Sequence, residues 1–460
     1  MTAESVSILV LVLTFFLAML AIRLHVGLSL MLAGLLGVIG LRSLDAAVGT
    51  AANQPYSTAA SYSLTIIPLF IVMGVLAVKA GLAQAGFDFA SRVLRRLPGG
   101  SALASLAGSG LFAAVTGSSV ATVATMARVS TDAIVKAGYG LRLAAGVVCA
   151  GGTLGVLIPP SIVLVLYGVV AEESIGQLLL AGIGPGLLTL LAYAVTAVVV
   201  VLLQRRRSRN LLVRNDPPAE ASGCVSSSNT DTAPRTLAPE KLDISGVLFL
   251  AVIFGVSIGT IYLGVATPTE AASFGAMTAL LVMVLRVRPP QLLARLRESI
   301  TEAIGLTAMT FLLMVGAGVF TYFLALSGAS SALVDAVVGA DMAPYLVLVL
   351  CLLLLLPLGM FLDGISMILI AAPLLHPILT EYGFDGVWLG ILIVKVAEMA
   401  LITPPVGMNA FVYSGAVPEA GLARVFRGIW PFLIADVVVV AILIVVPEIV
   451  TFLPGLSSAV

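Results

Sequence analysis

Apolar residues fill this chain in long blocks, and polar residues are confined largely to the gaps between them. A helix needs about 20 apolar residues, with a range of roughly 17 to 25, to cross the hydrocarbon core of a bilayer. The blocks 5–22, 25–41, 60–80, 175–203, 245–265, 268–286, 301–326 and 429–453 predict unbroken spans. Two more blocks, 142–170 and 386–415, are long enough but contain Pro159-Pro160 and Pro404-Pro405. A proline lacks an N–H and clashes with the preceding turn, so a helix cannot run unchanged through a pair of them. Both blocks therefore predict spans broken at mid-depth, with backbone carbonyls left free. In lipid such carbonyls are tolerated only where they face protein or a wet cavity.

The regions 101–136 and 344–380 are too long for one span, and polar or small residues interrupt each near its centre, Thr116-Gly-Ser-Ser119 and Leu362-Asp-Gly-Ile-Ser366. Arms of about 16 residues at 1.5 Å rise reach roughly 24 Å, short of the ~30 Å core. Each region predicts a re-entrant hairpin whose tip stops at mid-membrane.

Basic residues fix the orientation. With ten spans and two non-crossing hairpins, Arg23, Lys79, Arg92, Arg95, Arg96, Lys136, Arg142, the Arg205 cluster, Arg286 to Arg297, Arg424 and Arg427 all fall on one face. By the positive-inside rule that face is cytoplasmic. The first hairpin then enters from the cytoplasm and the second from the opposite side. A C-terminus on the outer side requires one further span, within 301–340 or 429–453.

Ser118 and Pro159 lie 41 positions apart, as do Asp363 and Pro404, so one offset of 245 (363 less 118, 404 less 159) superposes both pairs. Opposite entry of the hairpins makes the halves an inverted repeat, the plan in which transporters place their binding sites at broken helices. The halves are 1–203 and 244–460, joined by a hydrophilic stretch, 204–243, that opens with Arg205-Arg206-Arg207 and continues rich in Pro, Ser, Asn and Thr. Such a composition cannot bury enough apolar surface to fold alone and reads as a cytoplasmic linker.

Composition narrows the class. The 460 residues are 60% hydrophobic and 10% charged, against roughly 25% charged in soluble domains; this is an all-α polytopic membrane protein. Twenty-three basic residues balance 23 acidic ones, so nothing points to nucleic acid. Cys149, Cys224, Cys351, His25 and His376 are scattered without metal-ligand spacing. The first 22 residues carry Glu4 but no basic n-region and read as a retained span. No nucleotide loop or catalytic triad appears, so an enzyme is not expected.

Asp363 is the only acidic residue between Asp341 and Glu381. An ionisable group within a membrane segment marks a functional site by default; an N-cap for the following helix is the plain alternative. Thr403 adds a hydroxyl beside the second pair of prolines, and Asn409 follows it. Carbonyls and hydroxyls of this kind form the oxygen cage that a hard cation such as Na⁺ takes. Gly117, Ser118 and Ser119 form the matching tip without a carboxylate, and capping is again the alternative. Ser161 opens the half-helix after Pro160, whose N–H groups and positive dipole end suit a carboxylate, or it is a cap. Thr267-Pro-Thr-Glu270 reads as a capping box. Lys395 and Glu398, three apart on one helix, are expected to pair with each other, and Arg128 to reach the interface.

Several stretches together resemble the large membrane subunit of the tripartite ATP-independent periplasmic (TRAP) transporters, often described for C4-dicarboxylates. They are Pro68-Leu-Phe-Ile-Val-Met-Gly74, Gly117-Ser-Ser-Val-Ala-Thr122, 150–161, Ala266-Thr-Pro-Thr-Glu-Ala271, Gly359-Met-Phe-Leu-Asp363 and Ile402-Thr-Pro-Pro-Val-Gly-Met-Asn409. They cover nearly the whole chain in order; the long linker is the one departure. The resemblance implies about 11 transmembrane helices plus two hairpins, and an elevator-type importer with scaffold and transport domains. It would be driven by Na⁺, without other cofactors, in a bacterial inner membrane. It also implies a small four-helix membrane subunit and a soluble periplasmic substrate-binding protein as partners. Carried over, one sodium site comprises Gly117, Ser118 and Ser119 against Gly151, Ile158 and Pro160. The other comprises Asp363, Gly364, Thr403, Pro405 and Asn409. A small organic acid would lie near Ser119, Ser161 and Asp363. A self-sufficient ion-coupled carrier and a non-transporting scaffold or channel subunit are the rival expectations.

Overall fold

The computed structural model describes residues 3–94, 96–213, 243–360 and 362–457. Arg95, Cys224 and the 214–242 part of the expected linker lie outside the described residues. The first half forms α1 (Ala3–Ala21), α2 (Val26–Leu41), α3 (Leu44–Ala59), α4 (Ile66–Lys79), α5 (Leu82–Leu94), α6 (Gly100–Thr116), α7 (Ser119–Lys136), α8 (Leu141–Thr153), α9 (Ile162–Val170), α10 (Ile175–Ala181) and α11 (Ile183–Val213). The second forms α12 (Ile244–Tyr262), α13 (Pro268–Arg286), α14 (Pro289–Ser327), α15 (Ala329–Gly339), α16 (Pro344–Gly359), α17 (Gly364–Glu381), α18 (Gly386–Ala400), α19 (Met408–Ala416), α20 (Leu422–Val445) and α21 (Glu448–Ser457). The described residues contain no strand. Eight of the helical segments are long and apolar enough to cross a membrane.

Both broken helices fall where the prolines demand. The expected span 142–170 divides into α8 and α9, and 386–415 into α18 and α19. Both regions fold as helix–turn–helix hairpins, with arms of 17 and 18 residues in the first and 16 and 18 in the second, and the last of these, α17, is among the eight segments long enough to cross. The capping box is present, with the Thr267 hydroxyl accepting from the Glu270 amide and the Glu270 carboxylate accepting from the Thr267 amide.

Other boundaries differ. The block 175–203 forms one helical span, 175–204, whose turn at Gly182 keeps helical dihedrals and passes the first break so closely that a β-carbon there would stand 2.4 Å from the Leu157 carbonyl oxygen. Helix α14 begins at Pro289, twelve residues before the expected start and 39 residues long, because its charged first turns (Arg295, Arg297, Glu298) still form a helix. In the two regions expected to hide a further span the chain forms the short helices α15 and α21, 11 and 10 residues long. Helices α3 and α5 have no counterpart in the expected spans. Neither is a long apolar run, and a length-and-hydropathy rule passes over both.

Three of the basic residues expected on one face, Lys79, Arg286 and Arg295, lie together. Arg286 pairs with Asp243 and donates to the Ala80 carbonyl at 3.2 Å, while Arg295 donates to the Lys79 carbonyl at 2.8 Å. Lys79 in turn meets Glu302 at 3.0 Å. The ends of α4, α13 and α14 are thereby tied together. Arg286 holds the Asp243 carboxyl below the usual carboxylate range.

With lipid on the outside, helices gain little from apolar contact as such, and close backbone approach supplies the packing. Helices α2 and α14 meet through Gly27 and Gly34 on one and Gly316 on the other; a β-carbon on Gly316 would stand 1.9 Å from the Gly27 carbonyl oxygen. Helices α8 and α20 do the same at Gly146 and Gly428. Gly305, on the same α14, has nothing within 4 Å. Gly316→Ala should therefore destabilise the purified protein by about 1–3 kcal/mol through overpacking. Gly305→Ala should instead gain about 0.5–1 kcal/mol from helix propensity. Thermal unfolding of the two variants side by side checks the pair.

Candidate functional site

At the first break the α-helix ends at Thr153, passes through a 3-10 turn at Leu154–Val156, and resumes at Ile162. The carbonyls of Gly155 and Val156 would be satisfied in a helix by the amides of residues 159 and 160, which are prolines and have none. At the second break the same loss falls on Ala400 and Leu401. There Thr403 donates its amide to the Ala400 carbonyl at 3.1 Å, and Asn409 closes back on the Leu401 carbonyl at 3.1 Å. The closures differ because the residues after the prolines differ. Ser161 accepts from the Leu164 amide at 3.2 Å with its own hydroxyl. Its counterpart Val406 has none, and Gly407, at φ 56°, turns the chain instead.

The first tip lies on the first break. Gly117 takes the left-handed conformation (φ 60°) that lets α6 end and α7 begin two residues later. A β-carbon on it would stand 3.4 Å from Ile162, the first residue of α9. Ser118 caps α7 through the Ala121 amide. Ser119 is buried, and its carbonyl oxygen lies 3.1 Å from where a β-carbon on Gly152 would be. The tip thus faces Gly152; Gly151 packs on Ser109 of α6, and the Ile158 side chain lies against Gly110 and Gly186. Pro160 and Ser161 are buried behind them, with the Ser161 hydroxyl committed to capping.

The second tip lies on the second broken helix. Asp363 precedes α17 but makes no side-chain bond to its amides; its carboxylate accepts from the Ser366 hydroxyl. Gly364 abuts Glu398. Thr403 donates to the Met399 carbonyl at 2.8 Å, while Pro405 is exposed.

Across the halves, Asn409 is fully buried and neither atom of its amide has a partner. Its Nδ2 lies 3.6 Å from the β-carbon position of Gly152, and its carbonyl meets the Cys149 thiol. A buried amide costs on the order of 1–3 kcal/mol when left unpaired. Ser119, Gly152, Asn409, Gly364 and Glu398 therefore converge between the two breaks.

The expected pairing of Lys395 with Glu398 does not form. Lys395 pairs with Asp436 of α20, and Glu398 accepts from the Ser119 hydroxyl of the opposite half. Asp436 also accepts from the Tyr193 hydroxyl at 2.7 Å, and Tyr193 meets Thr153 at 3.0 Å. Every member of this chain of contacts is buried, and it joins Thr153, the last residue of α8, to Lys395 within α18 through α11 and α20. Sequence reasoning missed Asp436, although it stands alone in an apolar run like Asp363. His376, isolated in sequence, meets Glu173 at 3.1 Å. Arg128 is exposed.

A family model described as "Tripartite ATP-independent periplasmic transporter, DctM component" matches residues 13–449. The chain belongs to this family. It is similar to the C4-dicarboxylate TRAP transporter large permease protein DctM of Pseudomonas aeruginosa, 34% identical over 432 residues, 94% of this chain and 93% of that one. It is also similar to the isethionate TRAP transporter permease protein DctMQ of Oleidesulfovibrio alaskensis, 31% identical over 96% of this chain and 65% of that one. Among solved structures, the YdaH transporter of Alcanivorax borkumensis shares the fold, with a TM-score of 0.60 at 15% identity over 88% of this chain and 89% of that one.

In this DctM-family chain the Lys395–Asp436 pair gives a direct test of what holds the half-helices. Removing one partner of a buried pair strands a charge, at about 3–5 kcal/mol, whereas replacing both is often neutral. Lys395→Met should lower thermal stability by that amount, and Lys395→Met with Asp436→Leu should recover most of it. Melting curves of the single and double variants in one detergent decide.

Proposed function

We propose that the chain is the large permease subunit of a TRAP transporter that imports a small organic acid across the inner membrane, coupled to Na⁺. A small four-helix membrane subunit and a soluble periplasmic substrate-binding protein complete the system in this reading. The observation that carries it is the meeting of two proline-broken helices with two hairpin tips, the unpaired amide of Asn409 lying beside Gly152 of the first broken helix. Two desolvated cations would receive main-chain oxygens from the breaks, one of them beside the Ser119 carbonyl at the first tip and the other beside the Thr403 hydroxyl and the Asp363 carboxylate at the second. Small monovalent cations bind such oxygen sets without a preformed cluster of anionic ligands.

The substrate's acid group would be held near Ser119 and Asp363, where the bound cations offset charge that the bilayer core penalises. Ser161 would contribute there through the amides that follow it at the start of α9. Relatives named for C4-dicarboxylate and for isethionate match 94% and 96% of this chain, which supports a small anionic substrate selected largely by the binding protein. Movement of the hairpins and broken helices together against α2, α4, α13 and α14 would carry the site across the bilayer in elevator fashion.

The test is uptake into proteoliposomes holding both membrane subunits, with the cognate binding protein supplied outside and its ligand found by thermal shift. Uptake should require the binding protein and an inward sodium gradient; uptake indifferent to sodium overturns the reading. Asp363→Asn should raise the half-saturating sodium concentration by on the order of tenfold, about 1.4 kcal/mol. Unchanged coupling in that variant removes Asp363 from the site.

A further inference from the structure

The offset that relates the two halves also relates residues at their meeting point. Ser119 on the first tip corresponds to Gly364 on the second (364 less 119 is 245), and Thr153 on α8 corresponds to Glu398 on α18 (398 less 153 is 245). The repeat departs from symmetry at both positions, and the structure shows why the departures belong together. Glu398 is 1% exposed. Its Oε2 accepts a hydrogen bond from the Ser119 hydroxyl, and its Oε1 stands 2.8 Å from where a β-carbon on Gly364 would be. One carboxyl group therefore touches both tips at equivalent positions, and fills the space that a serine at 364 would need. Thr153, its counterpart, turns the other way, to the Ala150 carbonyl at 2.8 Å and the Tyr193 hydroxyl. Lys395, one turn earlier on α18, is engaged by Asp436.

We propose that Glu398 is a positioning residue that couples the two hairpin tips. If the first tip lifts away, the Ser119 contact is lost and the carboxyl is left buried without that donor. If the second tip moves inward, Gly364 meets the same carboxyl. Neither tip can shift without the other registering it through one side chain. Resting on the sodium-transport reading above, this makes cation binding at one tip set the geometry, and so the affinity, at the other.

Two measurements on the full chain test it. The first is a thermal-stability cycle of Gly364→Ala, Glu398→Ala and both together. Gly364→Ala alone should lower the melting temperature, because its methyl group pushes the carboxyl off Ser119. In the Glu398→Ala background the same methyl should carry little or no further penalty. The second is the sodium dependence of uptake. Glu398→Ala should bring the Hill coefficient down to about 1 and raise the half-saturating sodium concentration roughly 5- to 150-fold, the usual span of a coupling between sites. Glu398→Gln, which keeps an acceptor for Ser119, should retain cooperativity. If Glu398→Ala does not fold, Glu398→Thr, the residue of the first half, takes its place in both experiments. Additive thermal penalties, or an unchanged Hill coefficient, overturn the proposal. Sodium-independent uptake by the unaltered chain would instead overturn the transport reading, and a non-additive thermal cycle would still support the contact between tips.

Discussion

A peptide carbonyl inside a bilayer has no water to turn to, and a proline four residues on cannot supply a donor. That constraint organises the chain. Four prolines in two pairs cannot donate to the carbonyls of Gly155, Val156, Ala400 and Leu401, and at the second break the Thr403 and Asn409 amides take over for Ala400 and Leu401. At each break the protein assembles what lipid cannot provide: a hairpin tip in front, and tightly apposed glycines behind. Gly182 lets α10 and α11 close on the Leu157 carbonyl, and Gly152 lets the first tip bring its own carbonyl close. Polar backbone is thus concentrated at one level and enclosed by protein.

A second layer of buried polarity fixes the breaks relative to each other. The contacts from Thr153 through Tyr193 and Asp436 to Lys395 join the last turn of α8 to α18, and Glu398 reaches back from α18 to the first tip. Charged groups so placed are costly in hydrocarbon and persist where they do something. Here they make the two halves of the repeat one mechanical unit, while the Gly27–Gly316 contact packs α2 against α14 away from them.

Much of this was legible in the sequence. The breaks could be read because proline acts locally, and the tips because a few polar residues stand out in apolar surroundings. The repeat offset then placed both sets in one register. What could not be read was partner choice across the halves. Lys395 and Glu398 stand three apart, and a local rule pairs them, whereas in three dimensions Asp436 and Ser119 offer each a closer partner. Which of Gly151 and Gly152 meets the tip depends on helix phase, set by packing on Ser109. Helices α3 and α5 have no counterpart in the expected spans because the span rule finds only long apolar runs. Asp436 was readable by the reasoning that singled out Asp363.

In the proposed transport cycle the breaks and tips together form a seat for sodium ions. Hydrogen–deuterium exchange of the purified chain, compared in sodium and in potassium at equal ionic strength, addresses that claim most directly. Sodium-specific protection is expected in four segments alone, 115–122, 154–164, 359–367 and 400–410, which are far apart in sequence and converge only in the fold. Identical exchange in the two salts, or sodium protection spread over helices remote from the breaks, would contradict it.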